Sequence, residues 1–347
     1  MIIMTKGIYI LVLLVSFFSA GITRGQDINF SQFYELPLLR NPALAGIYKG
    51  DIRFTSAFRN QWQAVPVRYM TTAAGVETKI KIKKTKDYIS IGAQLTNDVA
   101  GDGRLGKTQV LPILAYHKMI NSQYNMYLTA GFIGGGVSQR FDPTKLRFGD
   151  QFVDGTYSTT NPTNATFANT SITYWDASTG LCLSGAFGRS KYYIGAAYFH
   201  FNEPKVAFSA LNDIRLNRKY VLNAGLSTKT SDYGDYLTLY ADFFSQGRSR
   251  QLQGGAMYKH VVIEDAKNEE DIAFSFGAFY RWEDAVVPVV KLNYRKWGIG
   301  SSYDINVSSL RSASQWRGGI EFTLSFKSFL NINNTTLNQL ECPIDFW

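Results

Sequence analysis

Tyr236-Leu237-Thr238-Leu239-Tyr240-Ala241-Asp242-Phe243 alternates without a break: Leu237, Leu239, Ala241 and Phe243 fall on one side, Tyr236, Thr238, Tyr240 and Asp242 on the other. The stretch Ile272 to Trp282 repeats the pattern. Ile272, Phe274, Phe276, Ala278, Tyr280 and Trp282 oppose Ala273, Ser275, Gly277, Phe279 and Arg281. A period of two is the period of a β-strand, whose successive side chains point to opposite faces. A wide apolar face with aromatics at its ends, backed by Ser, Gly, Thr and charge, is the pattern of a barrel whose outside meets lipid.

The start of the chain sets the route. Lys6 supplies a positive n-region, and Ile8 to Phe18 is an uncharged, mostly apolar run. Thr23 and Gly25 place small residues at −3 and −1 of a cut before Gln26, so residues 1–25 read as a signal peptide. The run is shorter than the roughly 20 residues a spanning helix needs, and no cysteine near the cut suggests a lipoprotein. No second run is long enough for a membrane helix, so an integral protein of this sequence must be a closed barrel, which satisfies every backbone group in lipid. Loss of Lys6 and Arg24 with the leader lowers the formal charge of +9 by two. For an exported chain this basic balance implies solvated turns, a polar lumen and attraction to outer-membrane lipid headgroups, with no nucleic acid as partner.

Strand-like segments recur at about 51–59, 67–80, 87–97, 106–119, 123–137, 173–187, 191–201, 217–230, 234–246, 250–263, 271–283, 285–294, 297–306 and 316–328. The fold class is therefore all-β, a transmembrane antiparallel barrel of about 14 strands, an even count that suits a bacterial barrel. Spacers after even-numbered strands are tight, as in Lys81–Lys86, Gly188–Ser190 and Arg295–Lys296. The long ones, Asp98–Leu105, Ser138–Ile172, Asn202–Leu216 and Val307–Gln315, all follow odd-numbered strands. Barrels keep short turns on the periplasmic side and long loops outside, which predicts an integral outer-membrane protein with both termini periplasmic. A soluble sandwich or propeller fits less well, because no blade-like repeat is visible and most segments exceed the usual strand length of about 5–6 residues.

The chain thus divides into the leader 1–25, an N-terminal segment 26–50, the barrel 51–328 and a C-terminal periplasmic tail 329–347. A barrel this wide is not filled by its own wall residues. Asp27–Gly50 carries Phe30, Phe33, Tyr34, Leu36, Leu38 and Leu39, then turn signals at Pro37, Asn41-Pro42 and Gly46. So apolar a stretch is expected to pack in the lumen or against a partner, and the tail from Asn331 to Trp347 is a second candidate plug. The alternation turns Arg53, Arg59, Asp242, Arg281, Asp304 and Glu321 inward, where ion pairs are expected. In the outer loop at 202–216, Pro204 followed by Val206, Phe208 and Leu211 suggests a short helix over the mouth.

Motifs for chemistry are weak. His117, His200 and His260 are far apart in sequence, with no carboxylate or thiol at ligand spacing. Asp98 to Gly103 lacks the alternating ligands and closing Glu of a calcium loop, and no nucleophile setting of the Gly-x-Ser-x-Gly kind occurs. No enzymatic activity, metal or cofactor is expected. Cys182 lies among Asp176, Ser178, Gly180 and Ser184, so the alternation points it into the lumen near the periplasmic end. The tail from Ser328 to Cys342 reaches at most roughly 50 Å extended. A Cys182–Cys342 disulfide pinning the tail inside is one expectation, favoured by an oxidising periplasm; a buried free cysteine is the other.

Several stretches together resemble the PorP/SprF family of outer-membrane proteins associated with type IX secretion. They begin with Gln26-Asp27, Phe30-Ser31-Gln32-Phe33-Tyr34, Pro37-Leu38 and Asn41-Pro42-Ala43-Leu44-Ala45-Gly46, then Phe58-Arg59-Asn60-Gln61-Trp62 and Asn97-Asp98 with Gly101-Asp102-Gly103. Tyr192-Tyr193-Ile194-Gly195, His200, Pro204 and Tyr220 through Gly225 follow, and Ser302-Tyr303-Asp304, Glu321 and Cys342-Pro343 close the match. Ser301 departs from the pattern, which has a second aromatic there, and Val65-Pro66-Val67 is less typical. The resemblance implies a non-enzymatic role, linked to gliding motility. Such proteins help secreted adhesins bearing a C-terminal sorting domain cross the membrane or stay attached to it, together with other type IX secretion components. The rival class is a passive or ligand-gated transporter with an open lumen.

Overall fold

The computed structural model describes residues 27–61, 69–263 and 272–329, apart from 102, 154, 159, 166, 168, 209–212, 232–233 and 310. Sixteen strands occur among them: β1 (Ile52–Gln61), β2 (Tyr69–Lys81), β3 (Tyr88–Ala100), β4 (Leu105–Asn121), β5 (Met126–Arg140), β6 (Phe152–Val153), β7 (Thr156–Tyr157) and β8 (Ser171–Phe187), then β9 (Ser190–Phe199), β10 (Lys219–Lys229), β11 (Tyr236–Gln246), β12 (Ser249–Ile263), β13 (Ile272–Arg281), β14 (Ala285–Tyr294), β15 (Trp297–Asn306) and β16 (Arg317–Ser328). Fourteen of them close an antiparallel barrel; β6 and β7 form a separate hairpin in the loop between β5 and β8. Closure is made by β1 and β16, in register from Ile52 opposite Ser328 to Gln61 opposite Gly319. A closed ring leaves no edge strand with unpaired backbone groups, the requirement for crossing lipid.

Period two is borne out at the level of single side chains. On β13, Ala273, Ser275, Phe279 and Arg281 are buried while Phe274, Phe276 and Tyr280 are exposed. On β11, Thr238, Tyr240 and Asp242 are buried and Leu239 is exposed. The exposed apolar side chains continue around the barrel, and Trp282, Tyr294, Trp297 and Tyr303 stand near strand ends, where aromatic rings suit a membrane interface.

The core lies inside the ring. Phe30, Phe33, Tyr34, Leu36, Leu38, Leu44, Ile47 and Tyr48 are all nearly inaccessible. Phe33, Tyr34, Leu44 and Ile47 pack with Tyr193, Tyr240 and Phe279, Leu38 with Leu111 and Ile133, and Phe30 and Leu36 with Ala57 and Ala73. Short helical turns at Phe33–Glu35, Pro37–Arg40 and Pro42–Leu44 compact the segment. Pro37 and Pro42 sit at the first helical position, where the missing N–H costs nothing. The Asn41 side chain accepts from Ala43 N at 2.8 Å and caps the last turn.

Two expectations are corrected. The sequence places both termini on the short-turn side. β16 does finish there, and the tail, with its candidate role as a plug, lies outside the described residues, yet Asp27 lies at the long-loop end. Its partners Lys107, His200, Lys219 and Gln246 stand where β4 and β10 begin and β9 and β11 finish there. Gly50, which meets Ser328 where β16 finishes, lies at the short-turn end, so the segment runs the height of the lumen. The physical reason is its content: an apolar stretch with matched charges gains burial along the whole interior. The second concerns the short helix expected over Val206, Phe208 and Leu211 in the loop after β9, where residues 209–212 lie outside the described residues. Its described residues form a bridged turn, with Lys205 opposite Arg215 and Val206 N donating to Ile214 O at 2.8 Å. Val206 and Leu216 then face the lumenal core rather than a helix surface.

Candidate functional site in the barrel lumen

The N-terminal segment meets the wall at five successive levels. At the mouth, the Asp27 carboxylate faces His200 Nε2 at 2.6 Å, Lys107 Nζ at 3.3 Å and Lys219 Nζ at 3.6 Å. The far nitrogen of the same imidazole, Nδ1, lies 2.8 Å from Asp176. Burial alone would raise the Asp27 carboxyl, but His200, Lys107 and Lys219 outweigh it and hold it well below the usual range. Burial would likewise lower the imidazole, and Asp27 with Asp176 instead lifts it to about 9.

The next level is the best organised. Glu321 accepts the consecutive backbone N–H groups of Ser31 and Gln32, one on each oxygen, both at 2.7 Å. Ser31 Oγ donates to Asp304 at 2.5 Å. The other oxygen of Asp304 takes Arg59 at 2.7 Å and Arg281 at 2.8 Å. Gln32 Oε1 accepts from Thr323 at 2.8 Å, and Arg59 also donates to the Asn29 carbonyl. Two guanidinium groups and two carboxylates, each almost wholly buried, thus enclose two residues of the segment. Buried charges persist only when so paired. A bulge helps to build this level: β15 and β16 pair through Tyr303 with Ile320 and then Ile305 with Arg317. Bulges re-aim side chains in this way, and Asp304 is the residue between.

Below it, Tyr34 stacks on Tyr240 and Phe279 with centroids 5.2 and 5.1 Å away, and Phe33 meets Phe279 edge-on. Lys291 pairs with Glu35. One turn further, Arg40 holds Asp242 at 2.6 and 2.5 Å and the Tyr193 hydroxyl at 2.9 Å. Asn41 Nδ2 donates to Leu181 O at 3.1 Å and to Asn223 Oδ1 at 3.1 Å. The wall is pared down to admit this turn: a Cβ on Gly180 would stand 1.9 Å from Asn41 Oδ1, and one on Gly131 would stand 2.4 Å from the Pro42 carbonyl carbon. At the last level Gly46 N donates to Glu77 at 2.7 Å, and Glu77 also binds Arg53. Gly46 adopts φ +76°, and a Cβ there would meet Ser90 Oγ.

Most residues singled out from the sequence converge here. Phe30, Ser31, Gln32, Phe33, Tyr34, Pro37, Asn41, Pro42 and Gly46 belong to the segment, and Arg59, Asp304 and Glu321 to the wall that grips it. Gln61 lies beside the Arg59 guanidinium. Tyr303 points away and is exposed on the outer face. Asp98 is apart from the segment, accepting from Thr71 at 2.6 Å. Trp62 and Cys342 lie outside the described residues. Cys182 is buried against Ala43 and Leu44, with no disulfide partner among the described residues; its expected pairing with Cys342 falls outside them. Sequence reasoning missed the mouth cluster, because Asp27 and His200 are 173 residues apart. It likewise missed the Glu35–Lys291 and Arg53–Glu77 pairs, although both wall partners sit at inward positions of alternating strands.

The family model for the type IX secretion system membrane protein PorP/SprF matches residues 22–326. Among curated proteins none matches the sequence. Solved structures with a similar barrel include the toluene transporter TbuX of Ralstonia pickettii, at 13% identity and a TM-score of 0.47, covering 85% of this chain and 94% of that one. The monoaromatic hydrocarbon channel CymD is similar at 12% identity and a TM-score of 0.47, over 89% of this chain and 95% of its own.

Proposed function

From the premise that the chain belongs to the PorP/SprF family of type IX secretion system membrane proteins, we propose that it is a plugged outer-membrane barrel working through protein contacts. In this reading it assists the export or surface attachment of secreted adhesin-type proteins, engaging a C-terminal sorting domain and other type IX secretion components. The short turns face the periplasm and the long loops, chiefly 141–170 and 200–218, face outward as contact surfaces. Catalysis has no part in it.

One observation supports this over a passive or ligand-gated transporter. Residues 27–50 occupy the lumen from end to end, and the charged side chains of Asp27, Glu35 and Arg40 each meet an opposite charge on the wall. A lumen filled by packed side chains and buried ion pairs leaves no aqueous path. Reconstitution in liposomes tests it: the full-length protein should show no steady ion conductance, and a purified sorting domain should co-purify with it. A wide, stable conductance with no retained sorting domain would favour the transporter.

A further inference from the structure

Toward the short-turn end the N-terminal segment is fastened to one side of the ring. Gly46 N donates to the Glu77 carboxylate at 2.7 Å and the Tyr48 hydroxyl to the Glu77 carbonyl at 3.0 Å, both on β2. Asp51 N donates to Ser328 O at 2.9 Å, where β16 finishes. Across the ring, on β9 to β12, the inward positions near that end carry Lys191, Lys229, Tyr236 and Lys259. Lys191 stands opposite Ser227, Lys229 opposite Tyr236, and Tyr236 opposite Lys259. The Lys259 ammonium lies 5.9 Å from the centroid of the Tyr236 ring. All four side chains are half-buried. Asp235, the described carboxylate next to them in sequence, is taken up by Tyr258, His260 and Val261 N. Half-buried ammonium groups on a lumen wall favour carboxylates against them.

The C-terminal tail has the complementary composition. Residues 330–347, outside the described residues, include Glu341 and Asp345 and no Lys or Arg. Both acids fall within Leu340-Glu341-Cys342-Pro343-Ile344-Asp345-Phe346-Trp347, which is otherwise apolar and gains by burial. The tail also has the reach. From Ser328 to Glu341 the chain extends at most roughly 45 Å. Fourteen strands, about 4.8 Å apart and tilted about 40°, make a ring roughly 28 Å across.

We propose that the C-terminal tail docks inside the short-turn mouth on this arc, with Glu341 and Asp345 against Lys191, Lys229 and Lys259 and its apolar side chains against Tyr236. The tail is then a second stopper, on the side of the lumen that the end of the N-terminal segment leaves to the wall of β9 to β12. The docking depends neither on the secretion role nor on which end of the barrel faces the periplasm.

The test uses the full-length protein in detergent micelles and a water-soluble carbodiimide, which condenses a carboxylate with an amine touching it. Peptide mass spectrometry is expected to find Glu341 or Asp345 joined to Lys191, Lys229 or Lys259. Deletion of residues 331–347 should speed acetylation of Lys191 and Lys229 by an N-hydroxysuccinimide ester at least fivefold, with exposed Lys145 in the long loop unchanged as reference. Heat-dependent gel mobility reports whether the shortened chain keeps its barrel. If it does not, the full-length variant Glu341→Gln, Asp345→Asn decides by the same acetylation. The turn after β12, with Glu264, Asp265, Glu269 and Glu270, is the rival occupant. Crosslinks from the three lysines to that turn alone, no crosslink to the tail, or unchanged acetylation overturns the proposal.

Discussion

Arg40 and Asp242, 202 residues apart in the chain, meet through two hydrogen bonds at 2.6 and 2.5 Å, with 5% and 1% of their side chains exposed. The pair fastens the middle of the N-terminal segment to β11. Removing one partner leaves the other charged and unmatched, which costs about 3–5 kcal/mol. Asp242→Asn should therefore lower the temperature at which the barrel loses its fast gel mobility. It should also admit intermittent conductance in planar bilayers. The double variant Arg40→Met, Asp242→Leu should recover much of the loss, since an apolar pair of similar volume leaves no orphan charge.

Glu321 is the acceptor for two adjacent backbone N–H groups, and only a carboxylate offers two equivalent oxygens in that place. In Glu321→Gln one oxygen becomes an NH2 group facing an N–H donor. Hydrogen bonds to charged groups contribute about 1.5–3 kcal/mol, so the urea midpoint should fall by a corresponding amount. Protease cleavage within residues 27–50 should accelerate as the segment loosens.

Tyr34 presents the opposite case. Its hydroxyl is buried without a hydrogen-bond partner among the described residues. An unsatisfied buried donor costs about 1–3 kcal/mol. Tyr34→Phe keeps the stack on Tyr240 and Phe279 and should match or exceed the wild type in thermal stability. A clear loss would mean that the hydroxyl is hydrogen-bonded in solution.

Gly180 and Gly131 test the fit between wall and segment. Gly131→Ala brings a methyl group against the Pro42 carbonyl carbon and the Ala43 nitrogen, both backbone atoms that cannot rotate away. The turn at Asn41–Leu44 must shift, and overpacking of this kind costs about 1–3 kcal/mol. Hydrogen exchange should show the amides of Ala43 to Ile47 losing protection while those of β10 to β13 keep theirs.

The mouth cluster is sensitive to pH at both ends. The folded His200 value, about 9, lies above its ordinary 6.5, so its contribution is full below 6.5 and is lost as pH rises through 9. Asp27 is shifted downward, so its contribution is full above its ordinary 3.8 and is lost as pH falls below that value. Protection of the outer end of the segment should peak between about pH 4 and 6.5 and decline toward pH 9 with the barrel intact. His200→Gln should abolish the alkaline decline, as followed by protease access to the segment.

Much of this architecture was legible in the chain. Alternation within ten residues is a local property, so Phe274, Phe276 and Leu239 declared themselves outward and Asp304, Glu321 and Arg59 inward without knowledge of any neighbour. The number of such segments gave the strand count, and the alternating short and long spacers checked it. The path of the N-terminal segment was not legible, because its anchors Asp27–His200, Ser31–Glu321 and Arg40–Asp242 join residues 173, 290 and 202 positions apart. The sequence by itself determined a lipid-facing cylinder with charge inside, since strand periodicity needs only residues i and i+2. Only the closed ring decided which carboxylate meets which cation, and that the segment runs to the long-loop mouth. Those pairings depend on distances across the lumen that exist after the last strand has joined the first.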